Sequence, residues 1–179
     1  MFINEIIKGR YVSLRSAELS DAEVTLKIRL DPNKTKFLHK TENNLEKQKI
    51  WLKNQRERNG DYFFVVESLD GKFIGTTSIY DMNDEHVAHA GRLLMIGNPI
   101  QSFEAFILML QYGFEHLGVE KFYGDVDTDN TASYNFSAGC GFVFSDNYVE
   151  EDGRKYRLCY CDKESFAQAK EKIEKLIYR

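Results

Sequence analysis

Residues 87–126, VAHAGRLLMIGNPIQSFEAFILMLQYGFEHLGVEKFYGDV, decide the fold. The apolar run 87–96 predicts a strand, and from Ser102 apolar side chains recur at helical spacing until Gly118 ends the helix. A second short strand, 121–126, follows directly. Such a strand–helix–strand unit predicts a right-handed parallel crossover, which splays the two strands apart. The N-terminus of the helix opens at that splay and suits an anion or a phosphate.

The rest of the chain supplies an antiparallel sheet and its covering helices. Ser20 and Glu23 form a predicted capping box at the start of a helix that Pro32 stops. Predicted strands cover 11–15, 62–68, 72–80, 142–149 and 156–161, and predicted helices cover 20–30, 45–58, 131–138 and 164–178. This order predicts an α+β fold with a mixed, mostly antiparallel sheet and helices on both faces, in a single domain of residues 1–179.

The composition excludes several classes of protein. The net charge of −4 over 179 residues gives no basic footprint for a nucleic acid. The most apolar run, 105–114, is about half the length that spans a membrane, and the N-terminus lacks the features of a secretory signal. The three cysteines indicate reduced thiols and no metal site, because no second Cys or His pair stands at a ligand spacing. We therefore expect a cytoplasmic protein with no nucleic-acid or membrane partner.

Two local patterns, taken with the element order, resemble the GNAT (GCN5-related N-acetyltransferase) superfamily. The first is AGRLLMI at 90–96, leading into a helix that ends YGFEHLG at 112–118. The second is NTASYNFSAGCGF at 130–142, which is similar to the family's fourth-helix signature. The resemblance covers nearly the whole chain. It implies an acyl-CoA N-acyltransferase fold, acetyl-CoA as the co-substrate, a primary amine as the acceptor and no metal.

The resemblance places acetyl-CoA on main-chain amides. In the family, a strand bulge offers unpaired N–H groups to the pantetheine arm and the thioester carbonyl, which here implies the amides of Leu94, Met95 and Ile96. The pyrophosphate loop departs from the family pattern, because it is about four residues shorter and Gly97 is its one glycine. Glu104 is expected in the first helical turn, where its charge competes with a phosphate. The backbone amides of Ser102, the predicted helix cap, and of Phe103 and Glu104 are nevertheless expected to hold a phosphate. The other implied cofactor-binding residues are Gln101, Asn130 and Ser133.

Three side chains are predicted to act in the chemistry. His89 stands where the family often has a glutamate base, and free imidazole titrates near neutral pH, which suits deprotonation of an amine. The family often has a tyrosine acid four residues before the glycine of Gly-Phe; here that position is Ser137, with Tyr134 one turn earlier. An amine that enters partly neutral needs no dedicated base. Lesser candidates for the base are His86, Glu85 and Asp125.

The acceptor has two candidate classes. The segments IRLDPN at 28–33 and IGNP at 96–99, with a lysine-rich loop after the first, resemble acetyltransferases of nucleotide-linked amino sugars. The pattern from Asn130 to Ser133, in a helix that ends without the tyrosine, resembles ribosomal-protein-alanine N-acetyltransferases instead. The first class is preferred, and a non-catalytic binding module with the same fold is the alternative to both. Exposed strand edges make a homodimer a further expectation.

Overall fold

The computed structural model describes residues 1–178, so the predicted domain end at residue 179 lies outside the described residues. The strands are β1 (Ile7–Lys8), β2 (Val12–Ser16), β3 (Tyr62–Ser68), β4 (Phe73–Tyr80), β5 (Val87–Met95), β6 (Lys121–Asp127), β7 (Val143–Glu151) and β8 (Arg154–Asp162). The helices are α1 (Ala22–Arg29), α2 (Leu45–Glu57), α3 (Pro99–Glu115), α4 (Thr131–Gly139) and α5 (Lys163–Ile177), with a 3₁₀ turn at Leu19–Asp21. The strands form one sheet in the order β1-β2-β3-β4-β5-β6-β8-β7.

Helices cover both faces of this sheet. α3 packs on β2, β4 and β5, and α5 packs on α3 and β8. α1 and α2 cover the opposite face, over β4 and β3 respectively. The core under α3 includes Phe64, Met109 and Phe122, and a smaller core under α2 includes Leu52 and Val65. Because every neighbouring pair of strands is antiparallel except β5 and β6, the predicted α+β fold with a mixed, mostly antiparallel sheet is confirmed.

β5 and β6 are parallel and pair over only a short stretch. Residues 87–89 of β5 oppose residues 121–123 of β6. Beyond His89, β5 stays on β4 as far as Met95, whereas β6 stays on β8 as far as Asp127. The two strands therefore part into a fork, which we define as the gap between residues 90–95 of β5 and 124–127 of β6. The predicted splay is confirmed.

The predicted capping box of the first helix is wrong by two residues. Glu18 and Asp21 form the box, at the start of the 3₁₀ turn that precedes α1. Arg15 donates to both carboxylate oxygens of Asp21, at 2.7 and 2.8 Å, and one of these oxygens also accepts the Glu18 amide. A tertiary ion pair thus decides which acidic residue caps the turn, and the spacing from Ser20 to Glu23 does not reveal that pair.

Candidate active site

A β-bulge bends β5 at the fork. Thr76 of β4 opposes Leu94 and Ser78 opposes Gly91, so β5 holds one more residue than β4 between these two pairs. Arg92, inside the bulge, has a φ of +49°, in the left-handed region that few residues other than glycine and asparagine adopt. The bulge therefore precedes the segment 94–96 in which the resemblance placed the unpaired amides.

Of the three predicted main-chain donors, Met95 faces the fork. The Ile96 amide donates to the Ile74 carbonyl on β4 at 2.8 Å, so the prediction that Ile96 is a free donor is wrong. Amides of an antiparallel strand alternate in direction, so Leu94, opposite Thr76, also points toward β4. The Met95 amide points the other way, toward the side from which β6 has parted. The amides of Leu94 and Ile96 face β4, against the prediction, because the hydrogen-bonded pairing of β5 with β4 continues past the bulge.

α3 begins three residues earlier than predicted, at Pro99. Asn98 is its N-cap, and Asn98 and Gln101 cap each other through side-chain to backbone hydrogen bonds of 3.0 Å. Ser102 is therefore not the cap, and its amide and hydroxyl both donate to the Asn98 carbonyl. Phe103 is the fifth helical residue, whose amide bonds within the helix. Few amides are left for a phosphate here, since the Gln101 amide is occupied and Pro99 has none.

Glu104 lies beyond the first turn of α3 and does not face a ligand. Its carboxylate is 1% exposed and accepts the backbone N–H groups of Arg10, Tyr11 and Val12 at 2.6–2.9 Å. It also accepts the Tyr178 hydroxyl at 2.8 Å. The prediction that its charge competes with a phosphate is wrong, because distant segments of the chain take up its oxygens. The prediction that its amide holds a phosphate is wrong too, because Glu104 is the sixth residue of α3 and its amide bonds within the helix.

A cavity of about 560 Å³ opens from the fork toward α1 and α2. The fork contributes residues 90–92 and Leu94 from β5 and residues 125–127 from β6. The predicted binding residues Asn130 and Ser133, at the start of α4, also line this cavity. The opposite wall includes Thr25, Phe37, Leu38, Gln48, Trp51 and Phe63. The cavity therefore joins the fork to a partly aromatic chamber.

The lining of the cavity carries charges of both signs. Arg29 from α1 and Arg92 from β5 supply positive charge. Asp125 and Asp127 from β6 and Glu151 from β7 supply negative charge. A bipolar cavity of this kind suits a molecule that carries both a positive and a negative group.

Arg92 is held by a buried carboxylate and two aromatic rings. Its Nη1 donates at 2.7 Å to an oxygen of Asp61, whose side chain is fully buried. The guanidinium carbon lies 4.1 Å from the ring centroid of Tyr80 and 5.6 Å from that of Trp51. Sequence reasoning missed Arg92, although an arginine inside the apolar run 87–96 is the signal that marks it.

Tyr80 of β4 and Asp125 of β6 both line the cavity, and the charge of Asp125 acts on Tyr80. Burial, and then the negative charge of Asp125, raise the pKa of Tyr80 to about 12. The Tyr80 hydroxyl therefore stays protonated at neutral pH and can donate a hydrogen bond. Tyr80 was not predicted from the sequence, and Asp125 was predicted only as a lesser candidate for the base. The available signal was strand alternation, which puts Tyr123, Asp125 and Asp127 on one face of β6.

His89 lies beside the cavity and is not part of its lining. It is the last residue of β5 that pairs with β6, and its imidazole stacks on the Tyr80 ring with centroids 5.3 Å apart. Tyr80 thus stands between His89 and Arg92. The role predicted for His89 stays a prediction.

The two hydroxyl candidates on α4 differ in position. Tyr134 is 37% exposed and packs on Phe144 of β7, with ring centroids 4.2 Å apart, so it is turned away from the cavity. Ser137 is half-buried and lies one helical turn after Ser133, which lines the cavity. The roles predicted for Ser137 and Tyr134 therefore stay predictions, and neither side chain is part of the cavity lining.

The described residues contain no arrangement for a metal ion. Among residues 1–178, no three His, Cys, Asp or Glu side chains converge in a way that could hold one. Cys140, Cys159 and Cys161 are buried free thiols, and burial raises the pKa of Cys159 and of Cys161 to about 12. Over the same range, no helix is long and apolar enough to cross a membrane.

Comparison with known proteins gives one family and several similar structures. The family described as acetyltransferase (GNAT) domain matches residues 12–143. A search of curated proteins gave no match. Among solved structures, apo FdhC, a nucleotide-linked sugar GNAT, is similar with a TM-score of 0.78 and 21% identity, covering 95% of this chain and 97% of that one.

Two other solved structures are similar to the same extent. The spermidine N-acetyltransferase from Vibrio cholerae, in complex with CoA and spermine, has a TM-score of 0.77 and 20% identity, covering 87% of this chain and 98% of that one. A GCN5-related N-acetyltransferase from Brucella melitensis has a TM-score of 0.80 and 17% identity, covering 98% of this chain and 86% of that one. At these identities the likeness is one of fold.

Proposed function

The chain belongs to the GNAT acetyltransferase family, and we propose that it transfers the acetyl group of acetyl-CoA to the primary amine of a small molecule held in the cavity. The observation that carries this proposal is the fork, because it opens directly into a chamber lined by charges of both signs. The acceptor that we propose is a nucleotide-linked amino sugar.

The residues of the fork fit an acyl carrier. Met95 directs its amide into the fork, where no strand pairs with it, and such a fixed donor stabilises charge that develops on a carbonyl oxygen. Acetyl-CoA supplies an acyl group activated as a thioester, whose thiolate leaves readily. The helix start offers less than the family pattern implies, because Asn98 and Gln101 cap each other. The fork therefore contributes more to the binding of acetyl-CoA than the start of α3 does.

The side chains of the chamber orient the amine. Asp125 lines the fork end of the cavity, and no cation among residues 1–178 lies within 4.0 Å of its carboxylate, so we propose that it holds the incoming ammonium group. Tyr80, protonated at neutral pH, donates a hydrogen bond toward the same end. His89 behind Tyr80 accepts the proton of the amine through water, and Ser137 is the candidate donor to the leaving thiolate.

The size of the cavity favours a small acceptor over a protein N-terminus. The loop 31–44 contributes Phe37, Leu38 and His39 to the lining, and a cavity of about 560 Å³ has the size of a small-molecule site. FdhC, to which this chain is similar, is a nucleotide-linked sugar GNAT. The spermidine acetyltransferase is equally similar in fold, but Arg29, which forms no ion pair with a carboxylate among residues 1–178, favours an acceptor that also carries a negative group.

Release of free thiol from acetyl-CoA tests the proposal. The assay compares a nucleotide-linked amino sugar, spermidine and an N-terminal peptide as acceptors. We expect the amino sugar to give the highest kcat/KM, and Asp125→Asn to lower it by about 100-fold. Asp84→Asn, an exposed carboxylate outside the cavity, is the matched control and leaves kcat/KM unchanged.

Three outcomes would contradict this proposal. Preference for the peptide would indicate a protein N-terminal acetyltransferase, and preference for spermidine a polyamine acetyltransferase. Stabilisation by acetyl-CoA without release of thiol on any acceptor would indicate a non-catalytic module. For His89, we expect His89→Ala to lower turnover more at about pH 7 than at about pH 9, because an amine needs less help at the higher pH. Equal loss at both would remove His89 as the base.

A further inference from the structure

The end of α1 places one cation in the cavity without a counter-ion. Arg29 is the last residue of α1, is half-buried and lines the cavity. Its Nε donates to the Thr41 hydroxyl at 3.0 Å and its Nη2 to the His39 carbonyl at 3.1 Å. Both acceptors are neutral, and both belong to the loop 31–44, which contributes to the lining of the cavity. The loop thus fixes the guanidinium without neutralising it.

Within the described residues 1–178, the remaining N–H groups of Arg29 have no acidic partner. A guanidinium has five N–H donors, and the two bonds to the loop leave Nη1 uncommitted. No carboxylate among residues 1–178 forms an ion pair with Arg29. Asp61, the buried acid near this side of the cavity, is already shared by Arg92 and Arg58.

The surroundings of Arg29 make this lack of a partner costly. Burial, and then the positive charge of Arg92, lower the pKa of Arg29 from its usual value. A half-buried cation beside a second cation is unfavourable unless something supplies negative charge. The carboxylates of the cavity lie on the side of β6 and β7. A negative group of a ligand is the remaining source of compensation.

We propose that Arg29 is a specificity-determining residue that binds an oxyanion of the acceptor, a carboxylate or a phosphate, while the amine of the acceptor faces Asp125. The planar guanidinium can accept such a group in a two-point contact through its free N–H donors. The inference rests on the proposed function, since it names the class of acceptor: a primary amine that also carries an anionic group.

The test uses amines that differ in the anionic group. Glucosamine carries none, glucosamine 6-phosphate carries a phosphate, and galactosaminuronic acid carries a carboxylate. We expect Arg29→Gln to lower kcat/KM about 10- to 150-fold for the anionic amine that wild type prefers, as for loss of a hydrogen bond to a charged group. The same variant changes kcat/KM for glucosamine by less than about twofold. Which anionic amine loses more identifies phosphate or carboxylate as the recognised group.

Two further variants separate recognition from folding. Lys27→Gln removes the same charge from the last turn of α1 at an exposed position, and we expect it to leave all three acceptors unaffected. Arg29→Lys keeps the charge but not the two-point contact, and we expect partial recovery for the anionic amines. Equal loss for neutral and anionic amines, or no loss for either, would overturn the assignment of Arg29.

A binding measurement keeps this result independent of the proposed reaction. If wild type acetylates neither these amines nor the nucleotide-linked amino sugar, the proposed function fails. The thermal shift given by glucosamine 6-phosphate and by inorganic phosphate is then compared between wild type and Arg29→Gln. A shift in wild type that Arg29→Gln abolishes supports the anion site. Equal shifts, or no shift in wild type, overturn it.

Discussion

Two buried carboxylates, one on each side of the molecule, differ in what they hold. Glu104 on α3 is 1% exposed and binds three backbone amides of the N-terminal segment and the hydroxyl of Tyr178. Asp61, between α2 and β3, is 0% exposed and binds Arg92, Arg58 and Gln55. Arg92 continues into the wall of the cavity. The two carboxylates are therefore buried to the same extent but differ in their hydrogen-bond partners.

The difference shows how to distinguish a structural acid from one that supports a site. Every hydrogen-bond donor to Glu104 is neutral. These donors belong to the segment 10–12 and to Tyr178, and their hydrogen bonds hold both parts of the chain against α3. Asp61 binds two cations, and one of them, Arg92, ends against Tyr80 and Trp51 in the cavity. We therefore expect changes at Glu104 to affect stability, and changes at Asp61 to affect activity.

The largest expected effect is on stability at Glu104. Glu104→Ala leaves three buried amides without an acceptor, so we expect the free energy of unfolding to fall by at least about 3 kcal/mol. Glu115→Ala, an exposed acid on the same helix, changes it by less than about 0.5 kcal/mol. Urea unfolding measures both. A loss at Glu104 as small as that at Glu115 would show that its hydrogen bonds contribute little.

The next effect is on activity at Asp61. Asp61→Asn removes the charge that holds Arg92 in the cavity wall, so we expect kcat/KM per folded molecule to fall about tenfold or more. Glu104→Ala, measured on its folded fraction, keeps wild-type kcat/KM. Equal loss of kcat/KM per folded molecule in both variants would show that Asp61 and Glu104 do not differ in their support of the site.

A smaller effect is expected in the alkaline titration of Tyr80. Because the pKa of Tyr80 is raised to about 12 by burial and then by Asp125, the unfolded state loses its proton at lower pH than the folded state. The stability that this group contributes is present below about pH 10 and is lost as the pH rises toward about 12. Tyr80→Phe removes that part of the loss, which urea unfolding across this pH range measures.

The same titration tests whether Asp125 faces Tyr80. Asp125→Asn is expected to lower the pKa of Tyr80, but by less than the whole shift, since burial is the larger cause. Absorbance of tyrosinate follows it, with Asp84→Asn as the control. An unchanged pKa in Asp125→Asn would place Asp125 away from the fork end of the cavity.

The fold was predictable because its signals are local. Helical spacing up to Gly118 and a strand directly after it suffice to predict the parallel crossover and the fork. The start of α3 was predictable too, since an asparagine cap, a proline at the first position and a glutamine two residues later are all in the sequence. The prediction of Ser102 as the cap put the free amides of the helix start at residues 102–104, which lie inside the helix.

The site was less predictable because its contacts are distant in sequence. The partners of Glu104 lie on the N-terminal segment and at the end of the chain, so no spacing around α3 reveals them. The bulge at Arg92 depends on a left-handed arginine, which sequence does not indicate. The ion pair of Arg92 with Asp61 follows from that turn of the backbone.

The amide of Met95 gives the most direct test that the fork receives the acyl carrier. Methionines are few, so isotope labelling of methionine yields resolved amide NMR signals for Met82, Met95 and Met109. On addition of acetyl-CoA, we expect the Met95 signal to shift, while that of Met109, buried in α3, stays in place. A Met95 signal that does not move at saturating acetyl-CoA would show that the fork does not receive the acyl carrier.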